Sequence, residues 1–346
     1  MKGQQTYREI YQQAQAFQAV EATWAEIEAA ARQLAQDPVD EVIFTGCGTS
    51  LYLAQSAAYL LRKLGRMAAT SLPCSELYHN RDSYILEGRS YLVLPITRKS
   101  ITTEVRLAID HVRKLPQVRS LAVTCDAGSA SYNDAMLLSS GADEKSVVMT
   151  SSYSSMLYLI YCLASYLGAR QPESIHGQAR DFLKPCDDFC KAVLEEAPEA
   201  NLLITLGQGV FYGVANESMN KIKEMGLANS EAYYSLEYRH GPMSLVDDKT
   251  VILLLASEAY RAEEQKLMAE MQSYGAKIAV LGQGVSKAFA DYRCLDLPEG
   301  LSEEAAAVLS SFAGQFLGYY LAERRGLDAD RPRHLTQAIV LEPREG

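Results

Sequence analysis

The chain has 346 residues, 48% of them hydrophobic and 22% charged, with a formal net charge of −10. That length fits about two domains, each with enough apolar residues to bury a core. The acidic balance excludes a broad nucleic-acid surface, which needs a basic face, but it leaves room for an anionic small ligand held by local donors at a helix N-terminus.

Residues 5–35 read as helix, because Ile10, Ala14, Phe17, Val20, Trp24 and Ile27 recur at three- and four-residue spacing. The stretch up to Val20 is polar and lacks the apolar core of a signal peptide. Glu41–Thr45 is a short apolar run between Asp40 and Gly46, the pattern of a buried strand, and a helix is expected over 50–64. A second strand, 91–96, runs into Thr97-Arg98-Lys99-Ser100 and a helix to about Lys114; 120–124 reads as a third strand and 136–139 as a fourth, with a helix over 152–167. The charged segment 168–198, with Pro172, Pro185 and Pro198, reads as a helical connection.

The pattern then restarts: a strand at 201–206, a Gly207-Gln208-Gly209 turn, a helix over 213–225, strands at 251–256, 277–281 and 294–297, and helices over 262–274 and 303–325. Alternating strands and helices indicate an α/β chain of two doubly wound parallel sheets in tandem, flavodoxin-like or Rossmann-like in design. The strand–Gly-x-Gly–helix pattern at 42–60 and again at 202–225 is either an internal duplication or chance recurrence of a common turn. The expected organisation is a helical segment 1–35, a first domain 36–168, a connection 169–198, a second domain 199–330 and a tail 331–346. Apolar stretches such as 156–167 fall short of the roughly 20 residues a bilayer span needs, so no membrane partner is expected. The seven cysteines are expected as reduced thiols, and Cys186 and Cys190 lack the companions of a zinc site. No metal or other cofactor is implied, and the cytoplasm is the expected compartment.

Two loops have the composition of an anion site. Thr45-Gly46-Cys47-Gly48-Thr49-Ser50 turns tightly after a strand and places Thr49 and Ser50 where the next helix begins. Their hydroxyls and the helix N–H groups either hold a phosphate or, in the case of Ser50, cap the helix. The loop is not a dinucleotide fingerprint, since Leu51 stands at the third glycine position, and it is not a P-loop. The second loop, Thr97 to Glu104, brings Thr97, Arg98, Lys99, Ser100 and Thr102 to a strand end, where open α/β sheets bind ligands; otherwise it is a solvated basic turn.

A third region carries candidate chemistry. Glu217, Lys221 and Glu224 share a helix face, and His240 follows in a His-Gly-Pro turn. A Glu and a His are the acid–base pair that proton shuttling at a sugar carbonyl requires. The run Lys221-Ile-Lys-Glu-Met-Gly-Leu-Ala-Asn-Ser-Glu231-Ala-Tyr with Glu237-Tyr-Arg-His240-Gly-Pro resembles the double-SIS (sugar isomerase) family. That family includes the isomerase half of glucosamine-6-phosphate synthase, amino-sugar phosphate deaminases, ketose/aldose phosphate isomerases and sugar–amine deglycases. Tyr7-Arg-Glu-Ile-Tyr-Gln-Gln, Gly46-Cys-Gly-Thr-Ser50 and Asp143-Glu-Lys-Ser-Val147-Val-Met-Thr150 also match, and the resemblance runs from about 7 to 342.

The resemblance implies that Ser50, Thr97, Lys99 and Thr102 hold a sugar phosphate, with Thr49, Arg98 and Ser100 beside them. It puts Val147 at a backbone contact to the sugar, near Thr150. It places Glu224 at the carboxylate that moves a proton between C1 and C2, with Lys221 and Glu217 in support. It makes His240 the ring-opening acid/base, contributed across the interface of a homodimer. Three departures stand out. Lys99 and Ser100 replace a small hydroxyl residue and a glycine of the second loop. Gln337 stands at the Schiff-base lysine of the synthase and cannot form an imine. Glutamine-dependent amination is not expected, since no glutaminase segment and no N-terminal nucleophilic Cys is present. The expected function is isomerisation or deamination of a hexose or amino-sugar 6-phosphate; the alternative is a non-catalytic sugar-phosphate sensor.

Overall fold

The computed structural model describes residues 2–142 and 144–341; Met1, Asp143 of the matching 143–150 stretch and residues 342–346 of the tail lie outside the described residues. The N-terminal stretch is three helices rather than one: α1 (Gln4–Tyr11), α2 (Gln13–Glu21) and α3 (Trp24–Gln36). The break before α3 has a local cause. Thr23 turns both its hydroxyl (2.8 Å) and its N–H (3.0 Å) back to the Val20 carbonyl, closing the turn where a continuing helix would need neither.

Then follow β1 (Glu41–Gly46), α4 (Thr49–Lys63), β2 (Ala69–Pro73), α5 (Cys74–His79), β3 (Tyr91–Thr97), α6 (Thr103–Val112), β4 (Val118–Thr124), β5 (Ala135–Leu138), α7 (Ser151–Leu167) and α8 (His176–Glu196). The second half runs β6 (Leu202–Gly207), α9 (Phe211–Gly226), β7 (Asn229–Tyr233), β8 (Thr250–Ala256), α10 (Arg261–Ser273), β9 (Lys277–Gly282), α11 (Val285–Ala288), β10 (Arg293–Asp296) and α12 (Glu303–Arg324).

Each half forms a five-stranded parallel sheet, β2-β1-β3-β4-β5 and β10-β9-β8-β6-β7, and the two have the same order when each is counted from its first strand. This is the doubly wound α/β arrangement that the alternation implies. Sequence patterning misses β2 and β7, because both are edge strands with mostly half-buried side chains and neither forms an apolar run. Gly46 and Gly207 end equivalent strands for one reason. A Cβ on Gly46 would stand 2.6 Å from the Ser50 side chain, and one on Gly207 2.7 Å from the Phe211 carbonyl. In both cases the first turn of the next helix packs directly on the glycine.

The chain divides into two compact units. The first-sheet unit is Gln15–Glu144 with Ser155–Pro172 and the chain from Thr336; the second-sheet unit is the chain up to Ala14 with Lys145–Ser154 and Glu173–Leu335. The first has a core of Ile43, Tyr91, Val93, Val105, Ile109 and their neighbours. The second is built on Leu206, Ile252, Leu254, Leu267, Met271 and Val280. Among the described residues α12 is the one helix long and apolar enough to cross a membrane, and 89% of its apolar window is buried inside the protein. Gly314 and Gly318, one turn apart on α12, let α9 come close. A Cβ at 314 would stand 2.4 Å from Ser218, and one at 318 would stand 2.5 Å from the Lys221 carbonyl. We expect Gly314→Ala to lower the unfolding free energy by about 1–3 kcal/mol through this overpacking, read as a lower midpoint in urea denaturation.

Candidate functional site

The first-sheet unit collects the phosphate candidates. Strand order reverses between β1 and β3, which are hydrogen-bonded neighbours, so the loops that follow them open side by side at the switch point of the sheet. Gly48 lies at φ 56°, in the left-handed region glycine favours, and caps α4. Thr49 and Ser50 form the first turn of α4, nearly buried, and the Ser50 hydroxyl makes no hydrogen bond among the described residues.

In the second loop the Thr97 hydroxyl donates to the Lys99 carbonyl at 2.6 Å. Ser100 donates both its N–H (3.0 Å) and its hydroxyl (2.7 Å) to Asp126, and these bonds, with the Gly128 N–H, hold the Asp126 carboxyl below the usual range. Thr102 caps α6 with no side-chain hydrogen bond.

Sequence reading places two free cations in this loop; the structure commits one of them. Arg98 is buried against Glu144 at 3.3 Å, its side chain 5% exposed and that of Glu144 0%, and it donates to the Gln337 carbonyl at 3.1 Å. Lys99 is half-buried and faces the charge of Asp126. With Arg98 so committed, an anion here relies on Lys99, hydroxyls, backbone N–H groups and two helix N-termini. The tail lies across α6: the Thr103 N–H donates to the Ile339 carbonyl at 3.1 Å, and the Leu341 N–H to the Thr103 hydroxyl at 2.9 Å.

The second-sheet unit collects the candidate acid–base residues. Lys221 on α9 is fully buried, 3.3 Å from Glu217 and in closer contact with Glu224. Burial by itself lowers an ammonium pKa; the attraction of Glu217 and Glu224 outweighs it, and the Lys221 pKa is raised. Glu224, 21% exposed at its side chain, also accepts from the Asn220 amide at 3.0 Å. It stands at a cavity of about 190 Å³ lined also by Leu327, Asp328, Arg331 and Arg333.

Val147 and Thr150 belong to this same unit. The Val147 N–H donates to the Asp330 carbonyl at 3.3 Å, the Thr150 carbonyl accepts from Gln315 at 3.3 Å, and Val148 packs with Met225, the neighbour of Glu224. Glu9, buried on α1, holds the start of this loop by accepting the N–H groups of Lys145 (2.6 Å) and Ser146 (3.2 Å). Among the described residues no group of three or more His, Cys, Asp or Glu side chains could hold a metal.

His240 is exposed after a short 3₁₀ turn, Leu236–Arg239, and its ring makes no hydrogen bond among the described residues. The segment is pinned to α10: Ser235 donates to Glu264 at 2.8 Å, Arg239 to Glu270 at 2.8 Å, and Tyr238 is buried in the core. Glu9, Glu144, Asp126 and Glu264 escape sequence reading because a charged residue in a helix or loop looks solvated until its partners, far away in the chain, are known.

Two segments, residues 38–166 and 199–323, match the SIS domain model. The chain belongs to the SIS domain family. This SIS chain is 29% identical over 334 residues to the glutamine–fructose-6-phosphate aminotransferase (isomerizing) of Clostridium perfringens, a match covering 88% of this chain and 53% of that protein. It is 26% identical over 322 residues to the same-named protein of Zymomonas mobilis, covering 88% of this chain and 52% of that one. The chain thus spans about half the length of the curated relatives it matches.

Among solved structures, glucosamine-6-phosphate deaminase of Thermotoga maritima superposes with a TM-score of 0.80 at 28% identity, over 97% of this chain and 100% of that one. Tagatose-6-phosphate ketose/aldose isomerase of Escherichia coli superposes with a TM-score of 0.86 at 21% identity, over 99% and 98%, a likeness of fold. The similar proteins are phosphosugar isomerases, deaminases and the aminotransferase.

In this SIS fold Glu264 anchors the His240 segment and is the buried carboxylate that titrates near neutrality. Burial is the main cause that pushes its pKa from 4.5 up to about 7; Ser235 and the Ser257 N–H pull it down, and Glu303 and Arg261 act in opposite directions. A raised folded-state pKa favours the folded, protonated form at low pH. This contribution is full below about pH 4.5 and is lost as pH rises to about 7. Glu264→Gln is therefore expected to flatten the fall in stability between those values, measured by urea denaturation at stepped pH.

Proposed function

We propose that this chain is a sugar-phosphate isomerase or deaminase acting on a hexose 6-phosphate or an amino-sugar 6-phosphate. The observation that carries the reading is Glu224: a partly exposed carboxylate at a cavity, backed by a buried ammonium that its neighbours keep charged. The Lys221 ammonium holds the Glu224 carboxylate in place at the cavity, where a general base must reach its proton.

The phosphate is assigned to Thr49, Ser50, Thr97, Lys99 and Thr102, with Arg98 and Ser100 holding the second loop in shape. The sugar is assigned to the backbone at Val147 and Thr150. His240 opens the ring by passing a proton from the anomeric hydroxyl to the ring oxygen. Glu224 then takes the proton from C2 of the open aldose and returns it to C1 through an enediol, while a hydroxyl proton passes from O2 to O1; the product is the ketose. With a 2-amino sugar the intermediate is an enolamine. Return of the proton to C1 leaves an imine at C2, and water adds to it and expels ammonia. Glu217 keeps Lys221 charged.

Glu224→Gln is expected to lower turnover by about 10²–10⁴-fold while leaving sugar-phosphate binding nearly intact. Thermal shift with a panel of sugar 6-phosphates, followed by coupled isomerisation and ammonia assays, measures both. Wild-type turnover in the variant would remove Glu224 from the role of base. The committed side chains of the second loop, Arg98 with Glu144 and Ser100 with Asp126, favour a second reading, a sensor that binds and does not turn over. Binding by the wild-type chain with no turnover across the panel selects that reading.

His240 is proposed to act from the partner copy of a homodimer. Co-folding Glu224→Gln with His240→Ala is then expected to restore roughly a quarter of wild-type activity, since half the dimers carry one intact site. An activity no higher than that of either variant alone would place His240 in its own subunit's site.

A further inference from the structure

Two thiols stand where the first loop leaves its sheet. β1 and β2 are parallel neighbours in the register Gly46↔Pro73, so the next residues, Cys47 and Cys74, leave the sheet side by side. The spacing of neighbouring strands, about 4.8 Å, falls within the Cα separation that a disulfide spans, about 4.4–6.8 Å. The Thr45 hydroxyl donates to Cys74 Sγ at 3.4 Å. Cys47 is partly exposed; Cys74 is fully buried, and both are free thiols. The influence of each thiol on the other is the main cause that raises the Cys47 pKa and lowers that of Cys74, so the pair carries its first negative charge on Cys74.

Cys47 is coupled to the proposed anion site through the backbone. Its carbonyl accepts the Ser50 N–H at 3.2 Å, the contact that sets the first turn of α4, and Gly48 between them has the freedom to follow a displaced neighbour.

We propose that Cys47 and Cys74 form a reversible disulfide that pulls the 47–50 loop toward β2 and switches off phosphate binding. The switching rests on the assignment of this loop under the proposed function; the cross-link does not. The oxidant is hydrogen peroxide. The accessible Cys47 sulfur attacks a peroxide oxygen as its proton passes to the Cys74 thiolate; the O–O bond breaks, a sulfenic acid and a hydroxide form, and the hydroxide takes the proton from Cys74. The Cys74 thiolate then attacks the Cys47 sulfur, the S–S bond forms and the S–O bond breaks, releasing a second hydroxide. The two thiol protons convert the hydroxides to water; the sulfurs lose two electrons and the peroxide gains them. Cys186 and Cys190, also adjacent but wholly buried on α8, have no access to the oxidant and serve as the internal control.

The test treats the full chain with hydrogen peroxide, blocks remaining thiols with iodoacetamide and maps peptides by mass spectrometry. The expected result is a Cys47–Cys74 peptide pair lighter by two hydrogens than its parts. It should come with loss of the thermal shift given by glucosamine 6-phosphate, and dithiothreitol should reverse both. Cys74→Ser and Cys74→Ala are expected to keep the ligand shift after peroxide, and either variant serves should the other fold poorly. Cys47 and Cys74 found separately alkylated after treatment would overturn the inference, as would a cross-linked chain that keeps its ligand shift. A reduced wild-type chain that shows no shift with any sugar phosphate would instead sink the proposed function, while the peptide map still decides the thiol pair.

Discussion

Lys221 has no route to water for its ammonium: it is fully buried on α9, and Gly318 of α12 sits against its carbonyl. Two carboxylates on the same helix face keep it charged, Glu217 one turn before and Glu224 one turn after. Removing both partners would strand a buried charge, a loss of about 3–5 kcal/mol in comparable cases. The placement of Glu224 at its cavity depends on that charge being matched. The chemistry assigned to Glu224 is an outgrowth of the same triad, since the group that satisfies Lys221 is also the group left partly exposed.

The first-sheet unit handles charge differently. Its second loop contains two cations, and the fold answers Arg98 with an acid from a distant part of the chain, Glu144. What remains for an anion is Lys99 and a directional set: hydroxyls, backbone N–H groups and the starts of α4 and α6. Ser100 is tied to Asp126 through both its N–H and its hydroxyl, so this position brings its own anchor. The Gly128 backbone leaves room for it, with the Ser100 hydroxyl where a Cβ at 128 would fall, 2.5 Å away.

Buried acids recur as fasteners of functional loops. Glu9 gathers the N–H groups of Lys145 and Ser146, Asp330 accepts the Thr6 N–H at 2.7 Å and hydroxyl at 2.9 Å while its carbonyl takes the Val147 N–H, and Glu264 holds Ser235 ahead of His240. A carboxylate with two acceptor oxygens meets several donors at once. The Glu264 fastener carries a penalty of burial that makes it sensitive to pH in a way the exposed pairs are not.

By itself the sequence determined the alternation of strands and helices, and with it two doubly wound sheets, because an apolar run of strand length between turn residues admits few other readings. It also determined the triad of α9, since i, i+4, i+7 spacing puts Glu217, Lys221 and Glu224 on one face whatever surrounds them, and it marked the strand–Gly–Ser/Thr loop at Gly46. Tertiary structure decided what periodicity does not encode. The edge strands β2 and β7 exist because a neighbour offers a row of backbone groups, not because their side chains are apolar. Arg98 reads as a free cation until Glu144 and the Gln337 carbonyl are beside it, and Glu264 reads as one more surface acid until the core closes over it. In each case the deciding partner is remote in the chain or across a sheet, and only folding sets whether a charge ends in water or against its opposite.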